Sequence, residues 1–204
     1  MAQWYQGNAY RLNSNGQYSV SRSYNAMIGH LPRYREMKLI WNRKLLPGHR
    51  FVLWLAYQQK LQTKSRLIQL NIPITDNVEC CLCDQGVIET QQHMFGDCSW
   101  FKDMKEALTS WAAIKLPNMA IPELLKWINR RNWKHMKKEV ATAIIGAMVY
   151  HTWQARNWRI FRQIALKLEF CTGQIKKEMV DRISMHEESK RAGQCSLLMQ
   201  RICA

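Results

Sequence analysis

The stretch 78–100 constrains the fold more than any other, because it holds four of the seven cysteines and one of the six histidines. Within it, Cys80, Cys83, His93 and Cys98 follow the spacing C-x2-C-x9-H-x4-C. Three thiolates and one imidazole suit a closed, tetrahedral Zn²⁺ site. Protein ligands fill all four positions and leave none for water or substrate, so the predicted zinc is structural.

A neighbouring cysteine complicates the choice of ligands. Cys81 and Cys83 are separated by one residue, an unusual spacing for zinc, so we assign Cys80 as the ligand and Cys81 as a spare thiol. The alternative is that all are reduced, partly buried cysteines of an intracellular protein. An odd number of cysteines, clustered at metal-ligand spacing, favours a reducing compartment over a disulfide framework.

The residues around the predicted ligands resemble a known family. The segment reads C-x-L-C-D and then E-T-x-x-H-M-F-x-x-C, which resembles the zinc-binding domain that follows the reverse transcriptase in plant LINE-type (non-LTR) retroelements. Three departures remove no ligand: Asp84 replaces Gly, Met94 replaces Leu, and Cys81 replaces a common Pro. The matching residues are Cys80, Leu82, Cys83, Glu89, Thr90, His93, Phe95 and Cys98.

Further blocks extend the resemblance over most of residues 10–165. Residues 15–27, 40–56 and 61–72 look like the family's successive upstream blocks, and 150–161 is similar to its Trp-x-x-Arg-Asn…Phe helix. The resemblance implies the C-terminal part of a LINE-type polyprotein, without its polymerase, endonuclease or ribonuclease H parts. It also implies zinc at the four ligands and, as a partner, the reverse transcriptase domain of the parent polyprotein.

Hydrophobic periodicity predicts a mainly α-helical protein. We expect a small helical domain around the zinc knuckle at 10–114, then a basic helical C-terminal region at 123–190, a bundle segment with one long helix. A weakly ordered tail is expected at 191–204. Pro117 and Pro122 mark the boundary between the two regions. The individual helices are predicted at about 49–60, from the N-cap Thr63 to Pro73, at 101–113, 123–138 and 140–168, and after Gly173 at 174–189.

Specific apolar faces follow from the same periodicity. Phe51 and Leu55 are expected to be buried in the first of these helices, and Met104, Leu108 and Trp111 in the third. The apolar run at 140–150 predicts a core helix, since it is too short to span a membrane. On the long helix, the apolar arc predicted to be packed comprises Trp153, Ile160, Phe161, Ile164 and Leu168.

Net charge and its distribution favour a polyanionic partner, most often nucleic acid. Thirty Lys and Arg against fifteen Asp and Glu give a net charge of +15. Residues 124–168 hold ten of these cations and a single acid, Glu139. Trp127 and Trp133 interleave the cations, so they are either stacking platforms for bases or core residues beside a solvated basic face. The predicted nucleic-acid-binding residues are Lys126, Arg130, Arg131, Lys134, Lys137, Lys138, Arg159 and Arg162, with Phe95 and Trp100 as further contacts.

Arg156 and the histidines outside the zinc motif have no assigned binding partner. Arg156 is either available to a partner or a structural hydrogen-bond donor with Asn157. The histidines outside the zinc motif have no neighbours at ligand spacing, and we expect them on the surface or satisfied in the core. They are His30, His49, His135, His151 and His186.

Catalytic motifs are not found in the sequence. Its aspartates are scattered, and Tyr-x-Asp-Asp, G-x-x-x-x-G-K-[ST] and G-x-S-x-G segments are absent, so we predict no enzymatic activity. The predicted function is a zinc-stabilised module that holds RNA or DNA through phosphate contacts. The alternative is a detached or repurposed retroelement fragment that acts as a protein–protein interaction module, which an exposed patch of Trp and Met side chains would favour.

The predicted location is the nucleus or the cytoplasm. No apolar run approaches the roughly eighteen residues of a membrane span, so we predict no membrane partner. Residues 1–35 contain no acid and several Arg and Ser, as organellar transit peptides do. Because the family resemblance begins inside this segment, organellar targeting is the less favoured alternative. No oligomeric state follows from the sequence.

Overall fold

Eight α-helices and one π-helical turn form the described part of the chain, residues 17–28, 34–74 and 77–187 of a computed structural model. The mainly α-helical class is confirmed. The described residues contain no named strand, and an isolated antiparallel bridge joins Glu79 and Ile88. The tail predicted at 191–204 lies outside the described residues. The elements are α1 Val20–Ile28, α2 Met37–Ile40, α3 Pro47–Tyr57, α4 Lys64–Gln69, the π-helical turn His93–Asp97, α5 Ser99–Trp111, α6 Ile121–Arg130, α7 His135–Arg162 and α8 Leu168–Glu187.

The chain divides into two packing units, before and after the junction between Arg35 and Glu36. In the first unit, the hydroxyl of Ser19 accepts the backbone N–H of Arg22 at 3.3 Å at the start of α1. The second unit contains α2 to α8. The predicted limits of 10–114 and 123–190 stay predictions, and helices from both ranges pack together within this second unit.

Helix α7 is the centre of the second unit. It contacts α2, α3, α5, α6 and α8, and every residue from Val140 to Val149 is buried. A helix that is apolar around its whole circumference must be covered on all sides, which explains why five helices pack on it. The prediction of a core helix at 140–150 is confirmed. Among the described residues, no helix combines the length and the apolar character that a membrane crossing requires.

Close packing against α7 depends on Gly146. A Cβ atom at this position would lie 2.5 Å from Leu45 Cδ2 and 3.5 Å from Leu53 Cδ2, and both leucines are fully buried. We expect Gly146→Ala to lower the free energy of unfolding by about 1 kcal/mol, because overpacking costs about 1–3 kcal/mol and helix propensity returns up to about 1. Urea unfolding of the zinc-loaded protein measures it.

Gly173 provides the matched control, because it lies in α8 and a Cβ atom added there would have nothing within 4 Å. Gly173→Ala should raise the free energy of unfolding by about 0.5–1 kcal/mol, since only the propensity term applies. Equal effects of the two substitutions would contradict the close contact at Gly146.

Two predicted helix boundaries are wrong around α7. The helix predicted at 123–138 ends at Arg130, the backbone is extended at Arg131 and Lys134, and α7 begins at His135. This break lets Trp133 pack edge-on against Trp127, with ring centroids 5.5 Å apart. At the other end, α7 stops at Arg162 because Gln163 adopts the left-handed conformation, and the N–H of Ile164 bonds back to the Trp158 carbonyl at 3.1 Å.

Three further expectations about helix faces and ends need correction. Gly173 does not separate α8 from the preceding chain, because α8 begins at Leu168. Phe51 is 55% exposed, and the buried face of α3 is instead formed by His49, Val52, Leu53 and Ala56. Phe161 is 76% exposed and Ile164 45%. The apolar arc is therefore only partly packed, since the end of α7 extends past the helices that cover its middle.

Candidate metal centre and basic surface

The first two predicted ligands, Cys80 and Cys83, lie on a tight knuckle that follows α4. The Cys80 N–H donates to the Val87 carbonyl at 2.8 Å, and the Glu89 N–H donates to the Val78 carbonyl at 2.9 Å. Gly86 turns the chain between these bonds with φ of 61°, a conformation that glycine adopts without steric cost. The paired backbone segments hold Cys80 and Cys83 on the same side of the turn.

The second pair of ligands comes from the π-helical turn. His93 begins this turn, and its N–H donates to the Thr90 hydroxyl at 2.9 Å. The Cys98 N–H donates to the His93 carbonyl at 2.7 Å, which is the i to i+5 bond of a π-turn. In a π-turn, residues five apart in the chain lie one above the other. His93 and Cys98 are five residues apart, so their side chains lie on one face of the turn just before α5.

The four predicted ligands converge in the structure. Cys80, Cys83, His93 and Cys98 are all buried, and their ligand atoms lie within 4.8 Å of one another. Cys83 Sγ is 3.2 Å from His93 Nε2, and Cys80 Sγ is 4.0 Å from Cys98 Sγ. Zinc bond lengths place the ligand atoms of a tetrahedral site about 3.6 Å apart for S and N and about 3.8 Å for two S atoms. The donor set and its spacing therefore fit Zn²⁺.

The pKa values of the three cysteine thiols in the cluster are shifted in different directions. A hydrogen bond from Cys98 lowers the pKa of Cys80 to about 4, and the same contact raises the pKa of Cys98. Burial raises the pKa of Cys83. A coordinated dication would favour deprotonation of the thiols that bind it. Zinc binding is therefore coupled to proton release.

Cys81 lies outside this cluster, as assigned from spacing. Its Sγ is half-buried and 3.9 Å from the Arg156 carbonyl oxygen, so it faces α7. Burial raises the pKa of its thiol. A neutral thiol that faces another helix is consistent with a packing role.

A buried ion pair connects the knuckle to α7. Arg156 Nη2 donates to Glu89 Oε1 at 2.8 Å, and its Nε is 3.2 Å from both carboxylate oxygens. The exposed fractions of the two side chains are 4% and 0%. Glu89 also accepts the Lys64 N–H at 2.9 Å, and Arg156 Nη1 donates to Asn157 Oδ1 at 2.9 Å. Arg156 is therefore a structural residue of the core and is not available to a partner.

Two of the histidines outside the zinc motif form a second cluster with Glu178. His49, His151 and Glu178 come from α3, α7 and α8, and the structure brings their ligand atoms within 4.8 Å of one another. Burial lowers the pKa of His49 to about 4, although the Glu178 carboxylate partly opposes this. Both histidines are buried and partnered in the core, which is one of the two predicted outcomes, but the sequence did not predict that they lie together. No local spacing signals the cluster, because its members are far apart in the chain.

Most of the predicted nucleic-acid-binding residues lie at the corner between α6 and α7, which we call the basic corner and define as residues 126–138. Arg131 lies over the Trp127 ring at 4.9 Å and Lys137 over the Trp133 ring at 4.7 Å. Both tryptophans are half-buried, so they are neither fully exposed stacking platforms nor fully buried core residues. The corner borders a cavity of about 650 Å³, whose lining includes Met119, Glu123, Lys126, Trp127, Arg130, Arg131, Asn132 and Trp133.

Within the basic corner, Lys138 Nζ donates to the Asn129 carbonyl at 2.8 Å and helps close the corner. The predicted contacts outside the corner are dispersed. Arg159 is exposed and borders a cavity beside the cysteines, and Arg162 lies over the Trp158 ring at 5.0 Å. Phe95 is 3% exposed and packs edge-on against Phe101, so it cannot stack on a base.

The fold and this centre define a helical protein built around a buried Cys₃His metal site. Residues 18–104 match the family described as zinc-binding in reverse transcriptase, and the matched range contains all four ligands and Glu89. That family is a zinc-binding domain and not a catalytic one. No curated protein and no solved structure matches the chain. The family and the donor set both identify Zn²⁺ as the ion for this centre, and its four protein ligands make that ion structural.

Proposed function

We propose that this chain is a non-catalytic, zinc-stabilised nucleic-acid-binding module from a plant LINE-type retrotransposon polyprotein. It holds RNA or DNA through phosphate contacts beside the reverse transcriptase domain of its parent, in the nucleus or the cytoplasm. The observation that carries the proposal is the basic corner, where the exposed Arg130 and Arg131 and the half-buried Lys126 line a cavity of about 650 Å³. The match to a reverse-transcriptase-associated family supplies the context.

The charge of the basic corner is largely unopposed. Glu139 is the only acid in residues 124–168, and its carboxylate lies 3.0 Å from Lys44 Nζ and 3.5 Å from His135 Nδ1. Glu123 is the single acid among the residues that line the cavity, against three cations. A region with this excess of cations attracts a polyanion and releases its counterions on binding.

The geometry favours phosphates over bases as the ligands. Arg131 lies over one face of the Trp127 ring and Lys137 over one face of the Trp133 ring, so a base could stack on those faces only by displacing a cation. Cations held over rings present their remaining donors outward, as phosphate oxygens require. We therefore propose sequence-independent contact with the backbone.

A salt titration tests this proposal. Zinc-loaded protein is titrated with labelled single-stranded RNA, single-stranded DNA and duplex, and log affinity is plotted against log salt concentration. Replacing Arg130, Arg131 and Lys134 with Ala should weaken binding and reduce the slope by about 2–3, because each lost phosphate contact removes about 0.7–0.9. A preference among the three ligands would identify the nucleic acid held.

The matched control removes three positive charges from a different part of the surface. Lys60, Lys102 and Lys115 are exposed and lie outside the basic corner, so replacing them with Ala should change the slope much less. Equal effects of the two triple variants, or weak binding that neither alters, would contradict phosphate contact through this corner.

One observation favours the alternative function, a repurposed retroelement fragment that binds another protein. Ile68, Leu70, Ile72 and Val78 are 48%, 48%, 46% and 37% exposed and lie close together in the chain on either side of residues 75–76. Exposed aliphatic side chains in such proximity are a common feature of protein interfaces. These side chains are aliphatic, whereas the sequence analysis named an exposed patch of Trp and Met as the feature that would favour this function. Failure of the salt titration would make these residues the first place to look for a protein partner.

A further inference from the structure

The cluster of His49, His151 and Glu178 lies where α3, α7 and α8 meet, apart from the Cys₃His centre. Each residue offers one ligand atom, and the three atoms lie within 4.8 Å of one another. We propose that this cluster binds a second divalent transition-metal ion of the zinc type, through Nε2 of both histidines and the carboxylate of Glu178. Neither the family match nor the proposed function assigns a role to these residues.

The distances are those of a site that can close around an ion. His151 Nε2 lies 3.1 Å and His49 Nε2 3.6 Å from Glu178 Oε2. With zinc–ligand bonds of 2.0–2.1 Å, the ligand atoms of a tetrahedral site are about 3.3 Å apart. The two measured separations lie on either side of that value, so binding requires only small side-chain movements.

The donor set determines which ion suits the site and how firmly it is held. Two imidazoles and one carboxylate form a borderline donor set that suits zinc and its neighbours better than Ca²⁺ or Mg²⁺. Three protein ligands leave one position for water, unlike the closed Cys₃His centre. The Glu178 side chain is 27% exposed and the histidines 5% and 8%, so an ion would enter from the Glu178 side.

The surroundings both order the ligands and limit the affinity. The Tyr150 ring packs against His49 at 4.5 Å and edge-on against His151 at 5.4 Å, which restricts both imidazole rings. The positive charge of Arg182, one helical turn beyond Glu178, acts on His49 and opposes a cation. We therefore expect weaker and more readily exchanged binding than at the Cys₃His centre.

An ion at this position would join three helices. Glu178 extends from α8, whereas His49 and His151 come from the central helix pair α3 and α7. Helix α8 already packs on α7, and His151 and Glu178 form a hydrogen-bonded pair across that contact. Occupancy would thus strengthen the attachment of α8, and the gain would rise with the logarithm of free metal above the dissociation constant.

Zinc stoichiometry tests the proposal directly. The full chain is dialysed against buffered free zinc from the nanomolar to the micromolar range, and bound zinc per chain is measured by atomic emission. We expect a plateau at one equivalent and a second at two. Glu178→Gln and His151→Gln should each lose the second equivalent and keep the first, and the retained first equivalent shows that the variant is folded. Arg182→Gln should shift the second plateau to lower free zinc.

Cobalt distinguishes the two sites by their donors. Co²⁺ added to protein that carries one zinc should produce ligand-field bands without the thiolate charge-transfer bands of a Cys₃His site. His135→Gln is the matched control, because it removes an exposed histidine that pairs with Glu139 and should leave both equivalents in place. A single plateau in the unsubstituted chain would overturn the proposal. So would a second equivalent that survives Glu178→Gln and His151→Gln or disappears with His135→Gln.

Discussion

Replacing Cys83 with Ser or His93 with Ala is expected to remove zinc from the Cys₃His centre and to unfold residues 78–98. This segment contains one isolated bridge and one π-helical turn, so its own hydrogen bonds cannot hold it together. Binding of structural zinc supplies about 10–16 kcal/mol in zinc-finger peptides, more than the whole stability of many domains. Zinc content by atomic emission, together with thermal unfolding with and without a chelator, measures the effect.

The adjacent thiol provides the control. Cys81→Ser alters a cysteine that faces Arg156 and lies outside the ligand cluster, so zinc content should stay the same and the melting temperature should change little. Unchanged zinc content and melting in both Cys83→Ser and His93→Ala would disprove the centre. Loss of zinc in Cys81→Ser, together with retention of zinc in Cys80→Ser, would show that Cys81 is the ligand and Cys80 the spare thiol.

Replacing Arg156 with Met is expected to lower the free energy of unfolding by about 3–5 kcal/mol, because it leaves the Glu89 carboxylate buried without its counter-ion. Glu89 is 0% exposed and has Arg156 at 2.8 Å as its cationic partner. The substitution would also remove the link between the knuckle and α7. Urea unfolding of zinc-loaded protein provides the measurement.

Two comparisons separate this effect from a general loss of charge. Arg159→Met, one helical turn further along α7, changes an exposed arginine and should cost less than about 0.5 kcal/mol. The double substitution of Glu89→Met with Arg156→Met should recover part of the loss, since apolar residues can replace a buried ion pair at little cost. Equal losses for Arg156→Met and Arg159→Met would show that the ion pair is not important for stability.

The metal centre could be predicted from sequence because its geometry is local. Cys80 and Cys83 lie in one turn, and His93 and Cys98 are joined by a single i to i+5 hydrogen bond. Over such short separations the spacing of residues nearly determines the spacing of side chains. The N-cap at Thr63 is confirmed for the same reason, as its side chain accepts the N–H of Arg66 three residues later.

Helix ends and faces were less predictable because distant contacts decide them. Phe51 has the periodicity of a core residue, yet α3 turns His49, Val52, Leu53 and Ala56 toward the core instead. The basic corner contains no proline or glycine to mark the break between α6 and α7. The packing of Trp133 on Trp127 accompanies that break, and such a contact is not visible in helical periodicity.

The sequence by itself predicted the helical class, the four residues that cluster as candidate zinc ligands and the apolar core of α7. These follow from patterns within one turn or one helix, where covalent geometry limits the arrangements. Only the tertiary structure decided that Arg156 neutralises Glu89, 67 residues away, and that His49, His151 and Glu178 meet. The physical reason is that partners brought together by chain folding share no periodicity, so their pairing depends on how whole helices pack.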